Sequence, residues 1–144
     1  MNVRQFFSKK DQQRIIDTIR ANEAKTSGEI RVHLTLHCDE DVMDSAAYWF
    51  DKLKMQKTAK RNGVLFFIAV EDRRFAVIGD AGIHRCVPPT FWDDIQRIVL
   101  RRFHHENFIE GIIAGICLTG EQLQHFFPRQ VDDRNELPDN ISFG

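Results

Sequence analysis

A chain of 144 residues, 42% hydrophobic and 28% charged, holds enough apolar material for one globular domain with an ordinary core. Its formal net charge of -1 and pI near 6.6 exclude the basic face that neutralises duplex phosphates, so nucleic acid is not an expected partner. The start, MNVRQFFSKKDQQ, lacks an apolar stretch of signal-peptide length, and the longest apolar run, residues 108–118, contains Glu110. That run falls well short of the roughly 20 residues that cross a bilayer, so neither export nor membrane insertion is expected. Cys38, Cys86 and Cys117 form an odd set without CxxC spacing, which argues against a disulfide framework or a zinc knuckle and for reduced thiols in a cytoplasm.

In chain order, Ser8 and Asp11 have the spacing of a helix cap, and Ile15, Ile16 and Ile19 recur on one face of the helix that follows. Gly28 then releases the chain into a strand. Ile30, Val32, Leu34 and Leu36 alternate with Arg31, His33, Thr35 and His37, a period of two that predicts a strand with one polar face, away from the sheet centre. Ala46, Trp49, Phe50 and Leu53 fall at helical spacing within residues 44–55. The next run, residues 64–70 (VLFFIAV), is apolar without alternation, as in a central strand covered on both faces. A helical crossover makes these two strands parallel and right-handed. Only Glu71, Asp72 and Arg73 separate the central strand from residues 74–79, so the third strand returns antiparallel.

After Pro88 and Pro89, Thr90 is a plausible cap for a helix carrying Phe91, Ile95, Ile98, Val99 and Phe103. Asn107 could cap a last helix, apolar on several faces, which holds Cys117 as a core residue and stops at Pro128. The predicted fold is an α/β, three-layer α/β/α sandwich with a mixed sheet. It forms one domain over 1–144 with a polar tail, 129–144, that wraps the domain or frays.

This topology brings three strand ends to one sheet edge: Glu29 opens the first strand, Asn62 precedes the second and Asp80 closes the third. Carboxylate and amide oxygens suit calcium or magnesium. Asp80 alternatively caps the short helix beginning at Ala81, and Glu29 alone reads as a solvated charge. The tail carries Asp132, Asp133, Glu136 and Asp139, which either fold over the same edge or keep a terminus in water. A competing acidic surface joins Asp39, Glu40 and Asp41 to Glu71 and Asp72 at the opposite sheet edge. Cysteine phosphatase chemistry fails on spacing, because Asp44 and Trp92 stand where Cys38 and Cys86 would need an arginine. No glycine-rich phosphate loop opens a nucleotide-binding crossover.

GEIRV, the NGVLFF strand, the charged hairpin with Arg73 and Arg74, GDAGI, and FHHENFIEGIIAGI occur here in the order of a known family. Over roughly residues 28–125 the chain resembles the TPM domain family. That resemblance implies a sheet between helices, divalent cation binding as in some members, and the phosphatase label attached to the domain. Two positions depart from the family pattern. Arg61 stands where an acidic residue often precedes the NG pair, and Asp80 where an aromatic often follows the third strand's glycine.

Two functions follow as expectations. The first is a noncatalytic module in which calcium or magnesium, held by Asp80, Glu29, Asn62, Asp133 and Glu136, stiffens the edge and the tail for contact with a second protein. The alternative is a metal-dependent phosphatase in which the ion polarises a phosphomonoester and activates water.

Overall fold

The alternation in the first strand decides how the layers form. In the computed structural model, which describes residues 2–104, 107–130 and 135–144, β1 (Glu29–Thr35) turns Ile30, Val32 and Leu34 towards the larger core and His33 towards the opposite face. Before it, a short 3-10 turn (Val3–Gln5) leads into α1 (Lys9–Glu23), whose first turn is capped by the Ser8 hydroxyl accepting the Asp11 N–H at 3.0 Å. Ile15 and Ile19 point from α1 into the core with no exposure.

The crossover is α2 (Val42–Lys52), opened by the Asp41 carboxylate, which accepts the Met43 and Asp44 N–H groups at 2.9 and 3.1 Å. It returns the chain parallel to β1 as β2 (Gly63–Ala69), every residue of which is buried. A tight turn places Arg73 at φ 54° and reverses the chain into β3 (Arg74–Gly79), antiparallel to β2. There follow α3 (Ala81–His84), α4 (Phe91–His104), α5 (Phe108–Phe126) and β4 (Ser142–Phe143). The four-stranded sheet has the order β3-β2-β1-β4.

Helices cover both faces of this mixed sheet, as expected. The larger core joins Phe66, Phe75, Ile95, Val99, Ile112 and Ile116 with β1 and α1. On the other face, α2 packs Ala46 against Phe67, Ala69 and Ala76. Each fully buried Phe or Ile side chain contributes about 1.5–3 kcal/mol relative to exposure.

Three expectations need correction. The polar face of β1 does not place it at a sheet margin, because the tail adds β4 in parallel, pairing Ser142 and Phe143 with His33 and Leu34. Part of the tail is therefore structural, with Ile141 5% exposed in the main core. Cys117 lies on an exposed face of α5 rather than in the core, since Gly115, Ile116 and Thr119 supply the buried stripe. Asn107 occupies the N-cap position of α5, yet its side chain accepts no capping hydrogen bond.

Candidate functional site

Strand register brings the predicted edge together. Glu29 pairs with Gly63 and Val64 pairs with Gly79, so Glu29, Asn62 and Asp80 start or follow neighbouring strands. Backbone bonds fix them: the Glu29 N–H donates to the Asn62 carbonyl at 3.2 Å and the Asp80 N–H to the Gly63 carbonyl at 3.0 Å. The turn from α1 into β1 is held by Thr26, whose hydroxyl accepts the Gly28 N–H and donates to the end of α5 at Leu123.

The three side chains are not equivalent. Asp80 is engaged by both oxygens with Arg61, whose Nε and Nη2 donate at 2.7 and 2.8 Å, and it also accepts the Ala81 N–H at 2.7 Å as the cap of α3. Arg61, at φ 51°, is raised in pKa by that hydrogen bond and charge. Arg61 and Asp80 are thus each other's partners, and the pair occupies the carboxylate that sequence alone offers to an ion.

Glu29, by contrast, keeps open valence. It is 2% exposed; Oε1 accepts the Leu137 N–H from the tail, while Oε2 has no hydrogen-bond partner among the described residues. Burial pushes its carboxyl pKa up to about 7, with the negative charges of Glu136 and Asp139 and against the backbone N–H groups of Leu137 and Glu136. Asn62 is equally buried: Thr58 Oγ1 accepts its N–H and its Nδ2 donates to Ser27 Oγ at 3.4 Å, but Oδ1 is also without a partner. A buried polar atom left without a hydrogen bond is costly, and both of these acceptors belong to residues at this strand edge. Glu136 reaches that edge from the tail, its carboxylate accepting the Ala59 N–H at 3.2 and 3.3 Å. Asp132 and Asp133 lie outside the described residues.

Sequence reasoning missed Glu23. It closes α1 at 6% exposure; Oε2 accepts the Ile30 N–H at 2.8 Å, and its carboxyl is hydrogen-bonded to that of Asp139. Burial, then that side-chain hydrogen bond, pushes its pKa up to about 10. A signal existed, since Glu23 continues the Ile15 and Ile19 stripe at four-residue spacing and so occupies an inward position.

The competing acidic edge is occupied by local structure. The Asp72 carboxylate accepts the Cys38 N–H at 2.8 Å and pairs with His37 Nδ1 at 2.8 Å, while Glu71 lies 3.3 Å from His37 Nε2. That hydrogen bond lowers the Asp72 pKa and raises that of His37. A cavity of about 300 Å³ lies beside them, between residues 37–40 and Trp49. His33 is fully buried on the same sheet face, stacked on Trp49 at 3.9 Å with Nδ1 2.7 Å from Ser142 Oγ; burial, then the charge of Arg31, brings its pKa down to about 4. Its role is to seat β4.

Among the described residues, no group of three or more His, Cys, Asp or Glu side chains is arranged to hold an ion by itself. An ion at the Glu29 edge therefore needs the Asn62 amide oxygen and water as well as carboxylate. No described helix is long and apolar enough to cross a membrane.

Fold and edge together define a small α/β domain with helices on both faces of a mixed sheet and an oxygen-rich strand edge. The chain belongs to the TPM domain family, whose model matches residues 2–122. It is similar to the BA42 protein of the psychrophilic bacterium Bizionia argentinensis, known from an NMR structure, with 42% identity, coverage of 99% of this chain and 98% of that one, and a TM-score of 0.92. Two further solution structures share the fold. The N-terminal domain of a P. gingivalis protein has 18% identity, coverage of 88% and 84%, and a TM-score of 0.67. The N-terminal domain of the cg2496 protein of Corynebacterium glutamicum has 17% identity, coverage of 82% and 74%, and a TM-score of 0.59. No curated protein matches the chain.

Proposed function

We propose that this protein is a noncatalytic module that binds calcium or magnesium at the Glu29 edge. The observation that carries this reading is the pair of buried acceptors, Glu29 Oε2 and Asn62 Oδ1, on residues that begin and precede neighbouring strands at one edge and without a protein donor among the described residues. A hard divalent ion takes such oxygens, with Glu136 at the rim. Asp80 acts through Arg61, whose side chain it holds at the edge. Because Leu137 and Glu136 come from the tail, the ion stiffens edge and tail together, as a contact surface for a second protein. Three free thiols suit a reducing compartment such as the cytoplasm.

The test is thermal unfolding with and without each ion, beside phosphate release from a phosphomonoester. At a calcium concentration about 100 times Kd, linkage adds about 2.7 kcal/mol of stability. Glu29→Gln removes this gain, Asp80→Asn retains it, and no phosphate is released. Turnover that depends on the added ion would favour the metal-dependent phosphatase instead; no gain in the wild type would end the cation reading.

A further inference from the structure

Strand β3 ends the sheet order, paired with β2 alone among the described strands. One bond fixes which of its backbone groups face outward. The Asp80 N–H donates to the Gly63 carbonyl, so Ile78, Ala76 and Arg74, at two-residue steps from Asp80, turn their N–H and C=O groups towards β2. Phe75, Val77 and Gly79 turn theirs away from the sheet. Gln96 of α4 answers the first of these, its Nε2 donating to the Phe75 carbonyl at 3.0 Å, whereas the outward groups of Val77 and Gly79 have no partner among the described residues. Both residues are nonetheless buried, Val77 to 5% exposure. They floor a cavity of about 240 Å³, with Met43 of α2 on one side and Trp92 and Asp93 of α4 on the other.

We propose that this slot takes an extended segment of a second protein, which adds a strand beside β3 and carries a basic side chain towards Asp93. Buried N–H and C=O groups without partners are costly, and their repeat at every second residue of β3 matches the main chain of another strand. The side chains on either hand suit that occupant. Alternate residues of an added strand point to opposite faces, one set reaching Met43 and the other Trp92. Met43 is 47% exposed, and its unbranched thioether adapts to varied apolar contacts. Gly79 lets Trp92 lie close against the strand, since a β-carbon there would collide with the indole ring. At the rim, Asp94 pairs with Arg97 at 2.8 Å, which leaves Asp93 to a cation from outside. A second copy of this chain is not the occupant, because its own β3 lies between the same two helices, and the helices would collide before the strands met. The inference goes beyond the cation reading and does not rest on it, since no residue of the slot is among the proposed ligands.

The test selects displayed peptides on the full chain in chelator, then titrates the tightest of them, synthesised with both ends blocked, into amide-labelled protein. The Val77 and Gly79 amides are expected to shift and to gain protection from hydrogen exchange, while those of Ala76 and Ile78, already turned to β2, move little. Methylating one alternate set of the peptide's backbone nitrogens weakens binding roughly tenfold or more, and methylating the other set spares it. Met43→Ser and Asp93→Asn each weaken binding with the melting temperature kept, the second chiefly at low salt. A methylation scan without alternation, or shifts centred away from β3, would overturn the proposal. So would a selection that yields no peptide, or Val77 and Gly79 amides that shift on dilution of the protein alone, which would mark self-pairing. Because chelator is present throughout, failure here leaves the Glu29 reading intact, and failure of that reading leaves this one standing.

Discussion

Glu23 and Glu29 are acids that hold a proton more tightly folded than unfolded, since burial raises them from an ordinary 4.5 to about 10 and about 7. Stability from such groups is complete below their unfolded value and is lost as pH rises through the folded values. The ion-free protein is therefore expected to melt at progressively lower temperature between about pH 5 and about pH 10. Glu23→Gln, a neutral isostere, flattens this slope and raises the melting temperature on its alkaline side. Melting scans in chelator check both effects; an unchanged slope in Glu23→Gln would mean the carboxyl is solvated. The same residue shows what pattern reading can overlook, because a glutamate on the apolar face of a helix looks like an interruption of that face. In the structure it is a buried acid hydrogen-bonded to Asp139 of the tail.

At the scale of elements, α4 and α5 set the depth of the main core. Gly115 lies where the two helices approach β2: a β-carbon there would sit 2.6 Å from Val99 Cγ2 and 2.9 Å from Phe66 Cε2. Gly115→Ala is expected to cost about 1–3 kcal/mol through overpacking, read from a urea midpoint shift with an unchanged slope. A cost near zero would show that α5 can slide outward. The helices, strands and hairpin were legible in the sequence because their signals are local: the period of two in β1, the unbroken apolar run of β2, the short turn before β3. Of the edge, the convergence of Glu29, Asn62 and Asp80 was legible too, since topology follows from element order. Their separate fates were not. That Asp80 is taken by Arg61 depends on a left-handed backbone at Arg61 that no pattern announces.

For the molecule as a whole, residues 135–144 are part of the fold. Leu137 packs with Met55 and Leu65, Ile141 enters the main core, and the Gly144 N–H donates to the Leu34 carbonyl at 3.1 Å. Ile141→Ala is expected to destabilise the entire domain by about 2–4 kcal/mol, the range for truncating a buried aliphatic side chain. Coincident loss of far-ultraviolet and tryptophan signals would show one cooperative unit; early loss at the tail alone would make it an appendage. The polar composition of residues 129–144 concealed this, because a strand of two residues carries no period to read.

The sequence by itself determined the layered α/β plan, the parallel crossover, the hairpin and the edge where hard oxygens gather, because each follows from short-range periodicity and from chain connectivity. Tertiary structure alone decided which of those oxygens remain open. Hydrogen bonds between residues far apart in the chain consumed Asp80, left Glu29 and Asn62 half satisfied, and turned Glu23 towards Asp139. Such pairings depend on burial and angle, and neither is written in the spacing of residues.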